Sequence, residues 1–434
     1  MTRTVLRGAR WPGDVAWSDG RITAVGSVQA EDGDEVIRVD GDIVTAGLIN
    51  THHHFYQWMT RGWAFDCTLF GWLTTLYPVW ARLTPEDVEV ASAVAKGELA
   101  LTGCTTAADH HYIVPGGDDS VFDAIARAAK TIGIRAHIAR GSMDLGQSRG
   151  GLPPDSVVED LDTILASTES VHQRLHDGDR IVVTVAPCSP FSVTTELMTA
   201  SAELARRLGL RLHTHLAETL DEEHSCLERF GKRPLQLLDD LGWIAPDVWI
   251  AHGIYFDDAE VARLGETRTG IAHCPSSNSR LGSGIARVVD LTAVGAPVGL
   301  GVDGVASNEI GRLFPEMRMA LFLARQRDLS ATTFAPADAL RLATEGGARC
   351  LGRDDVGRLA PGLRADVVVW PGEDLADVLD PVAGLVLGPE RTARHVFVDG
   401  TAVVHDRHLV NADIEALHAD LARRARRLWP DGAG

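Results

Sequence analysis

The sequence is poor in cysteine, and none of its cysteines is paired in a motif. Cys67, Cys104, Cys188, Cys226, Cys274 and Cys350 are scattered, with no C-x-x-C spacing. The opening "MTRTVLRGARWPGD" has no apolar signal core. The thiols therefore read as reduced rather than as a disulfide frame, and a cytoplasmic location is expected. No apolar run approaches the roughly 20 residues that span a membrane, so no membrane partner is expected. Basic residues are also short: 41 Lys and Arg stand against 60 Asp and Glu, a formal net charge of −19. That balance disfavours a nucleic-acid partner, which needs basic surface. No fixed-period repeat and no low-complexity segment is present. Arginines cluster in "LARRARRLW", read as an amphipathic terminal helix with a solvated or subunit-contacting face.

What is present is the balance of a globular protein: 434 residues, 45% apolar and 23% charged. Such a length fits one large α/β barrel with an appendage, or two to three separate domains. The ends of the chain read as short strands. "TVLRGA", "VAWSDGRITAVGS", "VIRVDGDIVTAG" and, near the C-terminus, "RHVFVDGTAVVHDRHLV" alternate apolar with polar and turn at Asp-Gly, a hairpin signal. "QAEDGDE" reads as a hairpin tip. Between the ends, short apolar strands such as "RIVVTVAPCS" alternate with helical patterns such as "TPEDVEVASAVAKGELALTG". A count near eight predicts an α/β fold, a (β/α)8 barrel of the TIM type inserted into a small β-sandwich built from both chain ends. The expected boundaries are 1–47 plus 355–410 for the sandwich, 48–354 for the barrel and 411–434 for a terminal helix.

"NTHHHF" places three histidines in a row. In a strand, alternate side chains share a face, so His52 and His54 converge and His53 points away. Three satisfied histidines in a turn are the bland alternative. Four further stretches end an apolar strand with a metal-ligating residue type. "LRLHTHLAET" offers His213, His215 and Glu218; "VWIAHGIYF" offers His252; "GIAHCPSSNSRLGSG" offers His273; "VGLGVDGVASN" offers Asp303. Barrel enzymes build their sites at the C-terminal ends of strands. Three imidazoles and a carboxylate suit Zn²⁺ or Fe²⁺, with a position left for water.

The motifs "GLINTHHH", "HTHLAET", "AHG", "HCPSSNSRLGSG", "GVDGVASN" and "ATEGGARCLGRDDVGRLAPGLRADVVVW" resemble the amidohydrolase superfamily from about Val44 to about Val404. Within it, the likeness is to the mononuclear deaminases and chlorohydrolases of purines, pyrimidines and triazines. The finer pattern "GCTTAADHHY" and "RGSMDLGQSRGGLPPDSV" is similar to the 8-oxoguanine deaminases, a group close to the hydroxyatrazine ethylaminohydrolases. The resemblance implies His52, His54, His215 and Asp303 as ligands of one divalent metal, zinc or iron. It implies Glu218, His252 and Asp303 as catalytic residues, and prefers His215 to His213 because the ligand directly precedes "LAE". Two-metal relatives use a strand-four lysine, and "RIVVTVAPCSP" has none.

The implied activity is hydrolytic deamination of an amino-substituted heterocycle through a metal-activated water, converting 8-oxoguanine to urate and ammonia. A hydroxytriazine, guanine or isocytosine is the alternative substrate. A non-catalytic scaffold of the same fold is the alternative of another class. Gln57, His273 and Arg149 are candidate substrate contacts. Phe55, Tyr56, Trp58, Trp63, Phe65, Phe70, Trp72, Tyr77 and Trp80 could form a lid over a flat ring or a subunit interface, and a homo-oligomer is expected.

Overall fold

The computed structural model describes residues 2–429. Two of the Asp-Gly signals are two-residue hairpins. Asp19-Gly20 joins Asp14–Ser18 to Arg21–Gly26, and Asp399-Gly400 joins His395–Val398 to Thr401–His405. All four turn residues have positive φ, as the mirror-image turn of a tight hairpin requires. Asp40-Gly41 behaves differently from expectation. It separates Glu35–Arg38, which runs parallel to Thr4–Arg7, from Ile43–Ala46, which pairs with Val367–Trp370 in another sheet. "QAEDGDE" is likewise no hairpin tip. It links Arg21–Gly26 and Glu35–Arg38, which sit at opposite edges of a four-stranded sheet.

The second sheet has five strands and combines Ile43–Ala46 with Val367–Trp370, His395–Val398, Thr401–His405 and His408–Leu409. Leu6, Val15, Trp17, Val44, Val367, Val369 and Phe397 fill one buried core with residues of both sheets. Both chain ends thus form a sandwich, the packing that lets each sheet bury one apolar face.

From this sheet the chain enters a closed barrel of eight parallel strands: β1 (Leu48–Asn50), β2 (Cys104–His111), β3 (Arg135–Ser142), β4 (Ile181–Pro187), β5 (Leu212–Leu216), β6 (Val248–His252), β7 (Gly270–His273) and β8 (Val298–Leu300). β8 meets β1 where Leu300 pairs with Asn50. Only Gly47 separates Ile43–Ala46 from β1, and a Cβ there would lie 2.1 Å from Thr105 Oγ1, so glycine is required for the passage. Helices cover the barrel. Pro85–Leu101 begins with a reciprocal Thr84–Asp87 capping box. The buried Asp87 also pairs with two arginines of the terminal helical segment, the half-buried Arg424 and the exposed Arg427.

Sandwich and barrel are also tied electrostatically. Arg135, at the start of β3, is fully buried and pairs with Asp366 at 2.6 Å and with Asp399. Removing a buried cation strands its buried partner, so Arg135→Met is expected to cost about 3–5 kcal/mol. Arg180, which reaches Asp399 from the surface at 3.0 Å, serves as control; Arg180→Met should cost about 1 kcal/mol or less. Denaturant titration of the two variants checks this, and equal losses would show that the buried pair does not hold the junction.

Candidate active site

The C-terminal mouth of the barrel gathers the residues singled out from the sequence. β1 ends at Asn50, so His52–His54 lie just past the strand and not within it, and Phe55–Thr60 forms a 3-10 turn. The divergence of the three rings survives for another reason. The His53 ring is turned aside, its Nδ1 accepting the backbone N–H of His54 at 2.8 Å. His52, His54 and His215 each bring one ring nitrogen within 4.8 Å of the others, and ring nitrogens of His52 and His252 lie equally close to each other and to a carboxylate oxygen of Asp303.

Hydrogen bonds fix the tautomers. His54 Nδ1 donates to the His110 carbonyl at 2.6 Å, and His215 Nδ1 donates to the Cys188 carbonyl at 2.7 Å. His213 Nδ1 donates to the Trp249 carbonyl at 2.9 Å, which leaves its Nε2 to accept from His52 Nδ1 at 2.8 Å. Burial holds His52, His213 and His215 well below the ordinary imidazole range, so these rings are neutral. The Nε2 atoms of His52 and His215 therefore carry lone pairs and no proton, and the Nδ1 bond of His54 to its carbonyl turns that ring's Nε2 toward the same point. His54 and His215 oppose theirs at 3.1 Å. His52 Nε2 has no hydrogen-bond partner. Asp303 Oδ1 stands 3.4 Å from His52 Nε2 and 3.2 Å from His54 Nε2. Acceptors do not crowd together unless a cation lies among them, so the donor set fits a divalent metal. His213 has both nitrogens engaged and can only orient His52, which separates it from His215.

Beside this cluster, His252 Nε2 faces Glu218 Oε2 at 3.6 Å, while His252 Nδ1 donates to Asn278 Oδ1 at 2.9 Å. Burial, and then the charge of Asp303, push the Glu218 carboxyl up to about 8. Glu222 accepts the backbone N–H groups of Ala217 and Glu218 at 3.0 and 2.8 Å, fixing the turn that presents Glu218. Asp303 Oδ2 accepts from Ser277 Oγ at 2.6 Å and from Ser307 Oγ at 3.3 Å. Asn278, Ser277 and Ser307 lay in quoted motifs without a role; Glu222, four residues beyond Glu218, had drawn no attention.

A pocket opens over the cluster, lined by His54, His215, Glu218, His252 and Asp303 with Leu69, Trp72, Leu73, Tyr77, Tyr112, Cys188, Phe191 and Leu281. Two of the nine clustered aromatics, Trp72 and Tyr77, belong to this wall. Phe55, Tyr56, Trp58 and Trp80 are buried core instead, and Phe65 is 73% exposed. Tyr112 directly follows His110-His111, and Phe191 follows β4. Their places after barrel strands were the available signal.

Gln57, His273 and Arg149 are not among the lining residues. The Gln57 amide is buried against Gly304, where a Cβ would lie 1.8 Å from its Oε1. His273 is buried in β7, and Arg149 is exposed, with Nη1 on the Asp144 carbonyl at 3.1 Å. His110 and His111 donate to the carbonyls of Ala186 and Ile113, which are structural roles. Burial pushes the Cys188 thiol up to about 12, so it stays protonated.

Residues 43–403 match the model of the amidohydrolase family. The chain is 50% identical over 417 residues to the 8-oxoguanine deaminase of Pseudomonas aeruginosa, covering 94% of this chain and 93% of that one. It is 39% identical over 383 residues to the hydroxydechloroatrazine ethylaminohydrolase of Pseudomonas sp. (strain ADP), covering 84% and 78%. Among solved structures, atrazine chlorohydrolase from Arthrobacter aurescens TC1 in complex with zinc superposes with a TM-score of 0.91 at 30% identity, over 97% of this chain and 100% of that one. A barrel whose mouth is ringed by histidines and one aspartate, matched along most of its length, places this chain in the amidohydrolase family.

Proposed function

We propose that this chain is a metal-dependent hydrolytic deaminase that converts 8-oxoguanine to urate and ammonia. The chemistry rests on the convergence of His52, His54 and His215 beside the Asp303 carboxylate. The substrate rests on the 50% identity to 8-oxoguanine deaminase. In this reading His52, His54, His215 and Asp303 hold one divalent ion. Zn²⁺ suits these donors, and zinc occupies the related chlorohydrolase; Fe²⁺ is compatible. A metal in such a site lowers the pKa of water from 15.7 to about 7 and so supplies a nucleophile at neutral pH.

The chain's own residues do the rest. Glu218, protonated at neutral pH, donates to the ring nitrogen next to the amino-bearing carbon, which becomes electrophilic. Asp303 and His252 share the proton lost by the attacking water. His252 can accept it at Nε2, because Nδ1–H is committed to Asn278. That proton goes to the amine, which leaves as ammonia, and as the ring carbonyl forms the proton of the added hydroxyl returns to Glu218 by way of His252, which faces it at 3.6 Å. Trp72, Tyr77, Tyr112 and Phe191 offer faces and edges for a flat heterocycle. A second substrate, a hydroxytriazine bearing an alkylamine, is favoured by the 39% relative and by the apolar Leu69, Leu73 and Leu281 walls. A non-catalytic scaffold would have no use for the converged donors. A homo-oligomer is part of the same proposal; of the nine aromatics only Phe65 remains exposed to support it, and sedimentation reads it directly.

Ammonia release across 8-oxoguanine, guanine, isocytosine and hydroxyatrazine tests the substrate, and silence on 8-oxoguanine with turnover of another would discard it. Glu218→Gln is expected to lower kcat by about 10²–10⁴-fold with the fold intact, and Asp303→Asn to abolish turnover. Wild-type rates in either variant would sink the mechanism. The acid form of Glu218 is present below its raised pKa and lost above it, so kcat should fall as pH rises through about 8; a flat profile across that range would remove the acid role. His213→Gln disturbs only the ring that orients His52, so metal affinity should drop by about 10–100-fold, with turnover largely recovered at saturating metal. An unchanged affinity would show that the relay does nothing.

A further inference from the structure

Among the described residues, one other group of imidazoles and a carboxylate converges outside the barrel mouth. His395, His405 and Asp406 each bring a ligand atom within 4.8 Å of the others. We propose that they form a second divalent-metal site, of the zinc, nickel and copper class, on the edge of the five-stranded sheet. It shares no residue with the active site and does not depend on the function proposed above.

The backbone builds the group. Val396 pairs with Val404 across the sheet, so His395 and His405 follow as neighbours on adjacent strands, with ring centroids 4.9 Å apart. The chain then reverses in two residues, Asp406 and Arg407, and His405 pairs with His408. Both turn residues are left-handed, with φ of 46° and 68°. Glycine, asparagine or aspartate normally fills such a turn, and arginine does so rarely. His408 Nδ1 braces it by donating to the Asp406 carbonyl at 2.7 Å. The result directs the Asp406 carboxylate back toward the two rings.

The distances are those of neighbouring ligands rather than of hydrogen bonds. Asp406 turns one oxygen toward each ring, Oδ1 3.8 Å from His395 Nε2 and Oδ2 3.6 Å from His405 Nδ1, while its backbone N–H reaches His395 Nδ1 at 3.4 Å, a long contact that the ring gives up when it ligates through Nε2. A direct hydrogen bond would be below about 3.2 Å, whereas tetrahedral metal bonds of about 2.0–2.1 Å set ligand atoms roughly 3.3 Å apart. Among the described residues no lysine or arginine pairs with Asp406. The nearby arginines are turned elsewhere, Arg407 to Glu373 at 3.7 Å and Arg394 to Asp42 at 2.7 Å. One anionic oxygen donor and two imidazoles suit a borderline transition metal, not Ca²⁺ or Mg²⁺. His395 is buried while His405 and Asp406 are exposed, so an ion can enter from solvent and water can complete its coordination.

Equilibrium dialysis of the full chain against micromolar Zn²⁺, followed by elemental analysis, tests the proposal. Wild-type protein should bind one equivalent more than His405→Ala or Asp406→Asn, and turnover of all three should be alike. Asparagine adopts the left-handed turn readily, so Asp406→Asn removes the charge and keeps the hairpin. His215→Ala strikes the barrel cluster instead and should retain the hairpin equivalent, which keeps the two sites distinguishable. Equal metal content in wild type, His405→Ala and Asp406→Asn would overturn the proposal.

Discussion

Three imidazole nitrogens and one carboxylate oxygen pointed at each other in a closed space are the interaction that the rest of this structure accommodates. Left alone, buried acceptors without donors are costly and would turn apart. They stay because each ring is held from behind. His54 and His215 give their Nδ1 protons to carbonyls at the ends of β2 and just past β4, and His52 gives its proton to His213, which is itself tied to Trp249 in β6. The protons that could have relieved the crowding face outward, two into backbone carbonyls and one into the His213 ring. Barrel closure is what makes this possible, since β1, β2, β5 and β6 deliver donors and carbonyls in fixed register to one mouth.

Most of that site was legible because its residue types stand at strand ends, where few structural roles call for them. His252 and Asp303 are of this kind. The distinction between His213 and His215 was not legible from strand geometry. Both face the interior, two residues apart, and only their depth along β5 separates a ring that can reach the cluster from one that supports it. Parity within a strand was also the wrong reason for the right convergence at His52 and His54. The strand has already ended there, and a backbone contact turns His53 aside. Gln57 illustrates the opposite failure. Its amide chemistry suits a heterocycle edge, yet the absence of a side chain at Gly304 gives that amide a buried seat outside the cavity.

Local signals for the fold divided in the same way. Asp19-Gly20 and Asp399-Gly400 close hairpins because the strands on either side can pair in one sheet. Asp40-Gly41 has identical local chemistry, but Ile43–Ala46 finds its partner more than 300 residues away in Val367–Trp370. A dipeptide encodes a reversal and not the identity of the strand that follows. The dense aromatics of residues 55–80 likewise serve several surfaces at once. Trp72 and Tyr77 face the cavity while Phe55, Tyr56 and Trp80 pack beneath it, which one-dimensional density cannot separate.

The backbone at the mouth shows how regular strands become an asymmetric site. Ala217, His252 and Asp303, each at or just beyond a strand end, are left-handed with φ of 54°, 72° and 65°. For non-glycine residues this conformation costs about 1–2 kcal/mol each. Glycine would relieve that cost and, at two of the three positions, would delete a side chain of the cluster. At Ala217 the turn is instead secured by Glu222, whose carboxylate takes the two backbone N–H groups that present Glu218. At Asp303 the Gly304 N–H and the hydroxyls of Ser277 and Ser307 fix the carboxylate. At His252 the Asn278 amide holds the ring. In each case a buried polar neighbour compensates a strained residue locally. The groups of the cluster are therefore held rigidly by the protein itself.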